Sequence, residues 1–294
     1  MARIEPGTTV GVLGPGAVGG ALAVPLALAG ARVVCVARPE TAQAIRLEGL
    51  TLDRLGEVLH ARPEATDVLL DRVDLLLVTV KSPALDDALD RIAARPGTVL
   101  PLLNGLEHVE TIRRRLGGRI VAGSIGRLEA YRDGPTHIVQ TTPAPLVTVT
   151  SPVELLRDAG FDLRVEPDER SVLWEKVVRL APLAAATAIT QRSLGELRTD
   201  PEWRSILEDA VDEACAVAAA DGVVLNSRAQ WEILDTMPAS VTTSAARDAA
   251  AAMPTELDAI VGGVVRAANR LGVAVTTLER LLDEAEERCR PRSR

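Results

Sequence analysis

Residues 8–38 constrain the fold of this chain more than any other stretch. They read TTVGVLGPGAVGGALAVPLALAGARVVCVAR. The apolar run Thr9–Leu13 leads into Gly14-Pro-Gly16-Ala-Val-Gly19. A long small-residue segment follows, Gly30 interrupts it, and Val33–Val36 is a second β-branched run. This order predicts strand, glycine turn, helix and strand, the opening unit of a parallel sheet. In such a turn Gly14 bends the chain tightly, Gly16 lets the backbone approach a pyrophosphate, and Gly19 lets the helix pack close to the strand. The phosphates would sit at the helix N-terminus, where Ala17 and Val18 lie, against free N–H groups and the positive end of the helix dipole. Glycine-rich turns are common. Here the spacing stands in the strand-turn-helix setting that dinucleotide binding requires.

The end of the second strand bears on which dinucleotide. A carboxylate about 20 residues past the glycines bonds a ribose 2′-OH, whereas an arginine suits a 2′-phosphate. The strand runs Val36-Ala37-Arg38, which favours NADP(H) over NAD(H). A surface arginine would look the same, and Glu40 lies close by.

Composition narrows the remaining classes. The 294 residues suffice for one large domain or two ordinary ones. The formal charge is −8 with no basic tract, and aromatics make up only 2% of the chain, which argues against nucleic acid and base-stacking platforms. Cys35, Cys215 and Cys289 are far apart and fit neither a disulfide framework nor a zinc site, as expected of a reducing cytosol. MARIEPGTT lacks the apolar core of a signal peptide, and Ala21–Ala29 is far too short to span a bilayer. A cytoplasmic protein without membrane partners is expected.

Further along, residues 40–72 look rich in loops, with a short strand or helical turn at Ala65–Leu70. Val73–Val80 reads as a strand buried on both faces and ends at Lys81-Ser82. Pro83–Ala94 has helical spacing, Thr98–Leu103 is a strand ending at Asn104-Gly105, Glu107–Leu116 is a basic helix, and Arg119–Gly123 is another strand. Repeated strand and helix predict an α/β fold, a doubly wound Rossmann-type domain over residues 1–167. The β-branched pieces Ile138-Val139 and Val147–Val149 read as antiparallel strands extending that sheet. Ser151–Ala159 reads as a brief helix and Leu163–Val165 as a brief strand. From Asp168 the pattern is helical only, so residues 168–294 are expected to form an all-α domain. Asp200-Pro201-Glu202 and Thr276-Thr-Leu-Glu279 look like helix starts, the second a capping box. In open α/β sheets ligands lie outside the carboxyl ends of the strands. The glycine turn, Lys81 with Ser82, and Asn104 with Gly105 all fall there. A cleft between those edges and the helical half is the expected substrate position.

The chain resembles the ketopantoate reductases, or 2-dehydropantoate 2-reductases, over nearly its whole length. The likeness is carried by Gly14-Pro-Gly16-Ala-Val-Gly19, Leu76-Leu-Val-Thr-Val-Lys81, Asn104-Gly105, Arg132-Asp-Gly134, Leu173-Trp-Glu-Lys176, Thr187-Ala-Ile189, Gly195-Glu-Leu197, Ser244 through Asp248, and Thr255-Glu256-Leu-Asp258. The Trp-Glu-Lys and Thr-Glu-Leu-Asp pieces are the most specific. The resemblance implies NADPH-dependent reduction of a 2-oxo acid to a 2-hydroxy acid, by a monomer or homodimer acting on a small molecule. It implies Lys176 as general acid, Arg38 at the 2′-phosphate, Lys81 and Asn104 near nicotinamide and substrate, and Ser244 and Glu256 holding the substrate and orienting the lysine.

The residues support part of this independently. Hydride addition to a ketone builds negative charge on oxygen, which a fixed ammonium stabilises and protonates. Lys176 stands in the strongly apolar segment Ser171–Thr190, and burial lowers a lysine's pKa toward neutrality. Each residue also has a plainer reading: Lys176 a solvated helix lysine, Glu256 an acid favouring a helix start, Ser244 a helix-start residue, Lys81 a surface lysine after a strand, Asn104-Gly105 an ordinary turn. The three histidines, His60, His108 and His137, match no catalytic pair. No metal site is expected.

One departure bears on the substrate. The family usually carries asparagines four and eight residues after the lysine, on one helix face, where this chain has Leu180 and Ala184. Those positions would contact substrate, so ketopantoate itself is put in doubt. Arg179 and Gln191 are candidate replacements, and Pro182 is expected to kink the helix. Three readings follow: a ketopantoate reductase of pantothenate synthesis, a related reductase of a less polar carbonyl compound, and a non-catalytic NADP(H)-binding regulatory protein. Retained Lys176 and Glu256 favour an enzyme.

Overall fold

A computed structural model describes residues 4–290. The chain divides into two compact units. One holds the residues up to Leu103 together with His108–Val172, and the other joins Asn104–Glu107 to the chain from Leu173 onward. The division falls inside the helix Glu169–Thr190. The expected boundary at residue 167 lies in the segment just before that helix.

In the first unit six strands form a wholly parallel sheet. Across it they run Glu64–Thr66, Arg32–Val36, Thr9–Leu13, Leu75–Val78, Thr98–Pro101 and Arg119–Ile120. The chain starts at Thr9–Leu13, builds outward to one side, then returns to the other side with Leu75–Val78. The strand order therefore reverses between these two neighbours, and their carboxyl ends, near Gly14 and Lys81, mark the switch point where such sheets place ligands. The central strands are apolar on both faces because helices or further strands cover both.

The helix Ala17–Leu28 follows the glycine turn, and its residues Gly19–Leu26 are buried. A helix apolar all round needs cover on every side. The parallel sheet supplies one side. The other comes from a four-stranded sheet ordered Ala130–Arg132, His137–Gln140, Leu50–Arg54 and Glu57–Ala61. A Cβ on Gly20 would lie 2.6 Å from the Ile138 side chain, so the helix and this second sheet touch almost backbone to side chain. Val10, Leu22, Leu50, Leu52 and Ile138 share one apolar cluster as a result.

The structure corrects several expectations here. Residues 40–72 are not mainly loop: they hold the helix Pro39–Glu48, the hairpin Leu50–Arg54 with Glu57–Ala61, and the strand Glu64–Thr66. The β-branched pieces after residue 124 do not extend the parallel sheet. His137–Gln140 joins the second sheet, while Leu146–Val149 forms a third with Gly123–Gly126 and Asp162–Val165. Sheet register explains this: His137–Gln140 pairs in parallel with Leu50–Arg54, a partner more than 80 residues away.

The second unit is helical. Its core gathers Trp174, Val178, Ala184, Leu207, Val211, Val261, Val264 and Leu278. Asp200 caps the helix Pro201–Ala220 as expected, accepting from the Glu202 and Trp203 N–H groups. The expected capping box at Thr276 is absent. Glu213 reaches over instead and accepts the Thr277 and Leu278 N–H groups, both at 2.9 Å. A capping box does form at Ser193 and Glu196. The helix Glu169–Thr190 runs on through Pro182 as one element. Among the described residues no helix is long and apolar enough to cross a membrane, and no His, Cys, Asp and Glu side chains cluster as metal ligands.

Candidate active site

The singled-out residues fall into two groups, each within one unit. The first is the glycine turn. Gly14 has φ +86°, and a Cβ there would lie 2.4 Å from the Val80 side chain, so both torsion and space demand glycine. At Gly19 a Cβ would lie 2.3 Å from the Gly14 carbonyl oxygen and 2.5 Å from Thr79 Oγ1. Gly16 differs: its missing Cβ points to open space, 4.0 Å from the nearest atom, which leaves the backbone approachable. Gly16 is also the N-cap of the helix and contributes no side-chain cap. The N–H groups of Ala17, Val18 and Gly19 stand in the first turn, where a helix offers no acceptor of its own. A loop with an approachable backbone leading into uncapped N–H groups fits a dinucleotide's phosphates. Thr79 was not singled out from sequence. It locks the turn by donating to the Gly14 carbonyl at 2.9 Å or the Leu13 carbonyl at 3.1 Å. A hydroxyl directly after the apolar strand Leu75–Val78 is the sequence signal.

Arg38 is the N-cap residue of Pro39–Glu48 and is exposed, two residues after the second strand ends at Val36. Lys81 is likewise exposed, one residue before the short 3₁₀ turn Ser82–Ala84.

The second group assembles in the helical unit. Lys176 lies in the second turn of Glu169–Thr190, Asn104 in the four-residue excursion Asn104–Glu107, and Glu256 just before the helical segment that begins at Asp258. Lys176 Nζ donates to Asn104 Oδ1 at 2.7 Å, and Asn104 Nδ2 donates to Glu256 Oε2 at 3.2 Å. An ammonium has only donors and a carboxylate only acceptors, so this chain of bonds fixes which way the amide faces. Glu256 is 6% exposed. Enclosure of the Lys176 ammonium pushes its pKa down from 10.5 to about 8, while the nearby Glu256 carboxylate pulls it back up. A lysine so placed is still mostly charged at neutral pH and gives up its proton readily just above it. On the far side of the helix Trp174 is buried and donates its indole N–H to Asp221 at 2.9 Å, which fixes the helix's rotation.

The other sequence candidates fall around this array. Leu180, one turn beyond Lys176, is half-buried against the apolar core. Ala184 is fully enclosed in that core and offers a ligand no surface. Ser244 opens the helix Ser244–Ala250, half-buried, and is not brought into the array. Its neighbour Thr243 caps that helix and meets Thr187 at 2.7 Å. Arg179 donates to Gln230, and Gln191 donates to the Ala188 carbonyl at 2.9 Å. Both candidate replacements for the missing amides are thus engaged elsewhere.

Comparison with known proteins gives this geometry a context. The family model described as ketopantoate reductase PanE/ApbA matches residues 10–173, and that family's C-terminal model matches residues 168–288. A 2-dehydropantoate 2-reductase of Archaeoglobus fulgidus is 25% identical over 93% of this chain and 95% of its own length. The crystal structure of a PanE/ApbA family ketopantoate reductase from Ralstonia eutropha superposes with a TM-score of 0.85 at 28% identity, covering 96% of this chain and 98% of the other. A ternary structure of D-mandelate dehydrogenase with NADH and anilino(oxo)acetate superposes with a TM-score of 0.89. It is 19% identical, covers 96% of this chain and 98% of the other, and shows likeness of fold.

Proposed function

The chain belongs to the ketopantoate reductase family, and from that premise we propose that it reduces a 2-oxo acid to the 2-hydroxy acid with NADPH. The observation that carries this reading is the bonded array Lys176–Asn104–Glu256, with its ammonium shifted toward neutrality. A bound nicotinamide supplies the hydride. Lys176 polarises the substrate carbonyl by its charge and protonates the oxygen as negative charge builds there. Asn104 holds the ammonium's direction. Glu256 keeps the lysine charged against the desolvation that would neutralise it. Gly14, Gly16, Ala17, Val18 and Gly19 hold the pyrophosphate, and Arg38 meets a 2′-phosphate. Lys81 adds positive charge at the switch point. Ser244 is assigned a supporting contact to substrate.

Ketopantoate is the first substrate to test. A second reading has its own support: Leu180 and Ala184 are apolar where the family's amides would stand, so a 2-oxo acid with a less polar far end competes. The deciding experiment follows NADPH oxidation at 340 nm across 2-oxo acids that include ketopantoate, with NADH in parallel. Turnover of at least one 2-oxo acid supports the reading. Nucleotide binding with no turnover of any would favour a non-catalytic NADP(H)-binding protein.

A further inference from the structure

Arg266 lies outside the bonded array yet ties together the two segments that carry two of its members. It sits in the helix Gly263–Leu271 and reaches two carboxylates at once. Its Nε and Nη2 donate to the two oxygens of Glu107 at 3.0 and 2.7 Å, a bidentate pair. Its Nη1 donates to Asp258 Oδ1 at 2.7 Å, and Nη2 also reaches the Asp258 backbone carbonyl at 3.1 Å. Glu107 is three residues after Asn104. Asp258 is two residues after Glu256. One planar guanidinium therefore spans from the Asn104 segment to the Glu256 segment.

The backbone around this clamp is shaped for it. Asp258–Gly262 is a π-helical turn, and the Asp258 carbonyl accepts from the Gly263 N–H that closes the turn as well as from Arg266. Such wide turns gather at functional sites. A Cβ at Gly262 would lie 2.8 Å from Asp258 Oδ1 and 3.0 Å from Arg266 Nη1, so glycine leaves room for the clamp. On the other segment Gly105, at φ +97°, packs so tightly that a Cβ would lie 2.4 Å from the Ala259 carbonyl oxygen. The Asn104 segment thus rests directly on the turn that Arg266 holds. The clamp itself is open to solvent: the Arg266, Glu107 and Asp258 side chains are 43%, 50% and 72% exposed. Ion pairs that exposed contribute little to global stability.

We propose that Arg266 is a positioning residue, which fixes the 3.2 Å contact between Asn104 and Glu256, and through Asn104 the direction of the Lys176 ammonium. The role in turnover rests on the reductase reading above; the role in holding the segments does not. Arg266→Ala, Arg266→Lys and wild-type enzyme are compared by backbone hydrogen exchange over residues 104–107 and 256–263, and by kcat and KM on the best substrate found. Arg266→Ala is expected to speed exchange in both segments at least tenfold and lower kcat about tenfold with KM within twofold. Arg266→Lys keeps the charge and loses the fork, so it is expected to recover less than half of the lost rate. In an Asn104→Ala background, adding Arg266→Ala is expected to lower kcat less than twofold further, because the partner it positions is gone. Unchanged exchange in Arg266→Ala overturns the proposal, and so does faster exchange with full kcat. If no 2-oxo acid is turned over by the wild type, the reductase reading fails, while the exchange data still decide whether Arg266 holds the two segments.

Discussion

Raising the pH should switch off reduction more than two pH units earlier than an ordinary lysine would. The Lys176 ammonium has a pKa of about 8, lowered by enclosure and partly restored by Glu256. Its charged fraction then falls from roughly 0.9 at pH 7 to roughly 0.1 at pH 9, close to tenfold, whereas a solvated lysine would lose only a few per cent over the same range. The rate of reduction should follow this fraction, flat below about pH 8 and falling tenfold per unit above it. Oxidation of the hydroxy acid needs the neutral amine and should show the mirror image. The same shift acts on stability. Between about pH 8 and 10.5 the unfolded chain holds a proton that the folded chain has released, so stability contributed by this group rises with pH across that window. Below pH 8 both states are charged and the net penalty, burial of the ammonium less its attraction to Glu256, is fully present, about 3 kcal/mol. The assays are kcat/KM from pH 6 to 10 in both directions, and urea unfolding of wild type against Lys176→Met from pH 6 to about 11. The difference in unfolding free energy between the two proteins should change by about 3 kcal/mol across the window. A reduction rate still flat at pH 9.5, or a wild-type-minus-variant difference that ignores pH, would refute the assignment of Lys176 as the acid.

Three further outcomes are expected. Arg38→Ala should weaken NADPH binding at least tenfold, about 1.4 kcal/mol, and leave NADH unaffected. Titration of both nucleotides by tryptophan fluorescence or calorimetry checks this, and equal losses would return Arg38 to the surface. Glu256→Gln should lower turnover and move the pH break below 8, since the carboxylate is what raises the lysine's pKa against burial. A break that stays in place would leave Glu256 a structural residue. Leu180→Asn should improve kcat/KM for ketopantoate roughly 2- to 10-fold, the worth of one ordinary hydrogen bond, while lowering it for 2-oxo acids with apolar far ends. Ala184 has no exposed surface, so an asparagine there would bury its amide, and the single change is the cleaner probe.

What could be read from the sequence was local. The glycine turn, the flanking strands and the long apolar helix all announce themselves within thirty residues, because their period and turn chemistry are properties of contiguous chain. Lys176 stood out for the same reason, a charge in an apolar helical run. The hairpin Leu50–Ala61 did not. Its turn uses Leu55-Gly56, both at positive φ, in place of the usual Asn-Gly, and the other two strands of its sheet, His137–Gln140 and Ala130–Arg132, come from far along the chain. The helix Ala17–Leu28 did hint at this second sheet, since a helix apolar on every side cannot be served by one sheet. The Arg266 clamp was invisible. Arginine, glutamate and aspartate on a helical surface are ordinary, and only the fold shows that the residues they follow, Asn104 and Glu256, are bonded.

Asn104 lies 72 residues before Lys176 and 152 before Glu256 along the chain. That spacing sets a timetable. At a synthesis rate of roughly 5–20 residues per second, the asparagine waits on the order of ten seconds or more for the glutamate it will bond to leave the ribosome. Asn104–Glu107 therefore cannot settle with its neighbours on either side, and its final place is taken only once the later helices exist. A gene fragment beginning at residue 173 would encode the lysine and the glutamate without the amide between them. Splitting the chain at that point and mixing the halves should give back the array only if the first half arrives with Asn104–Glu107 still able to rearrange.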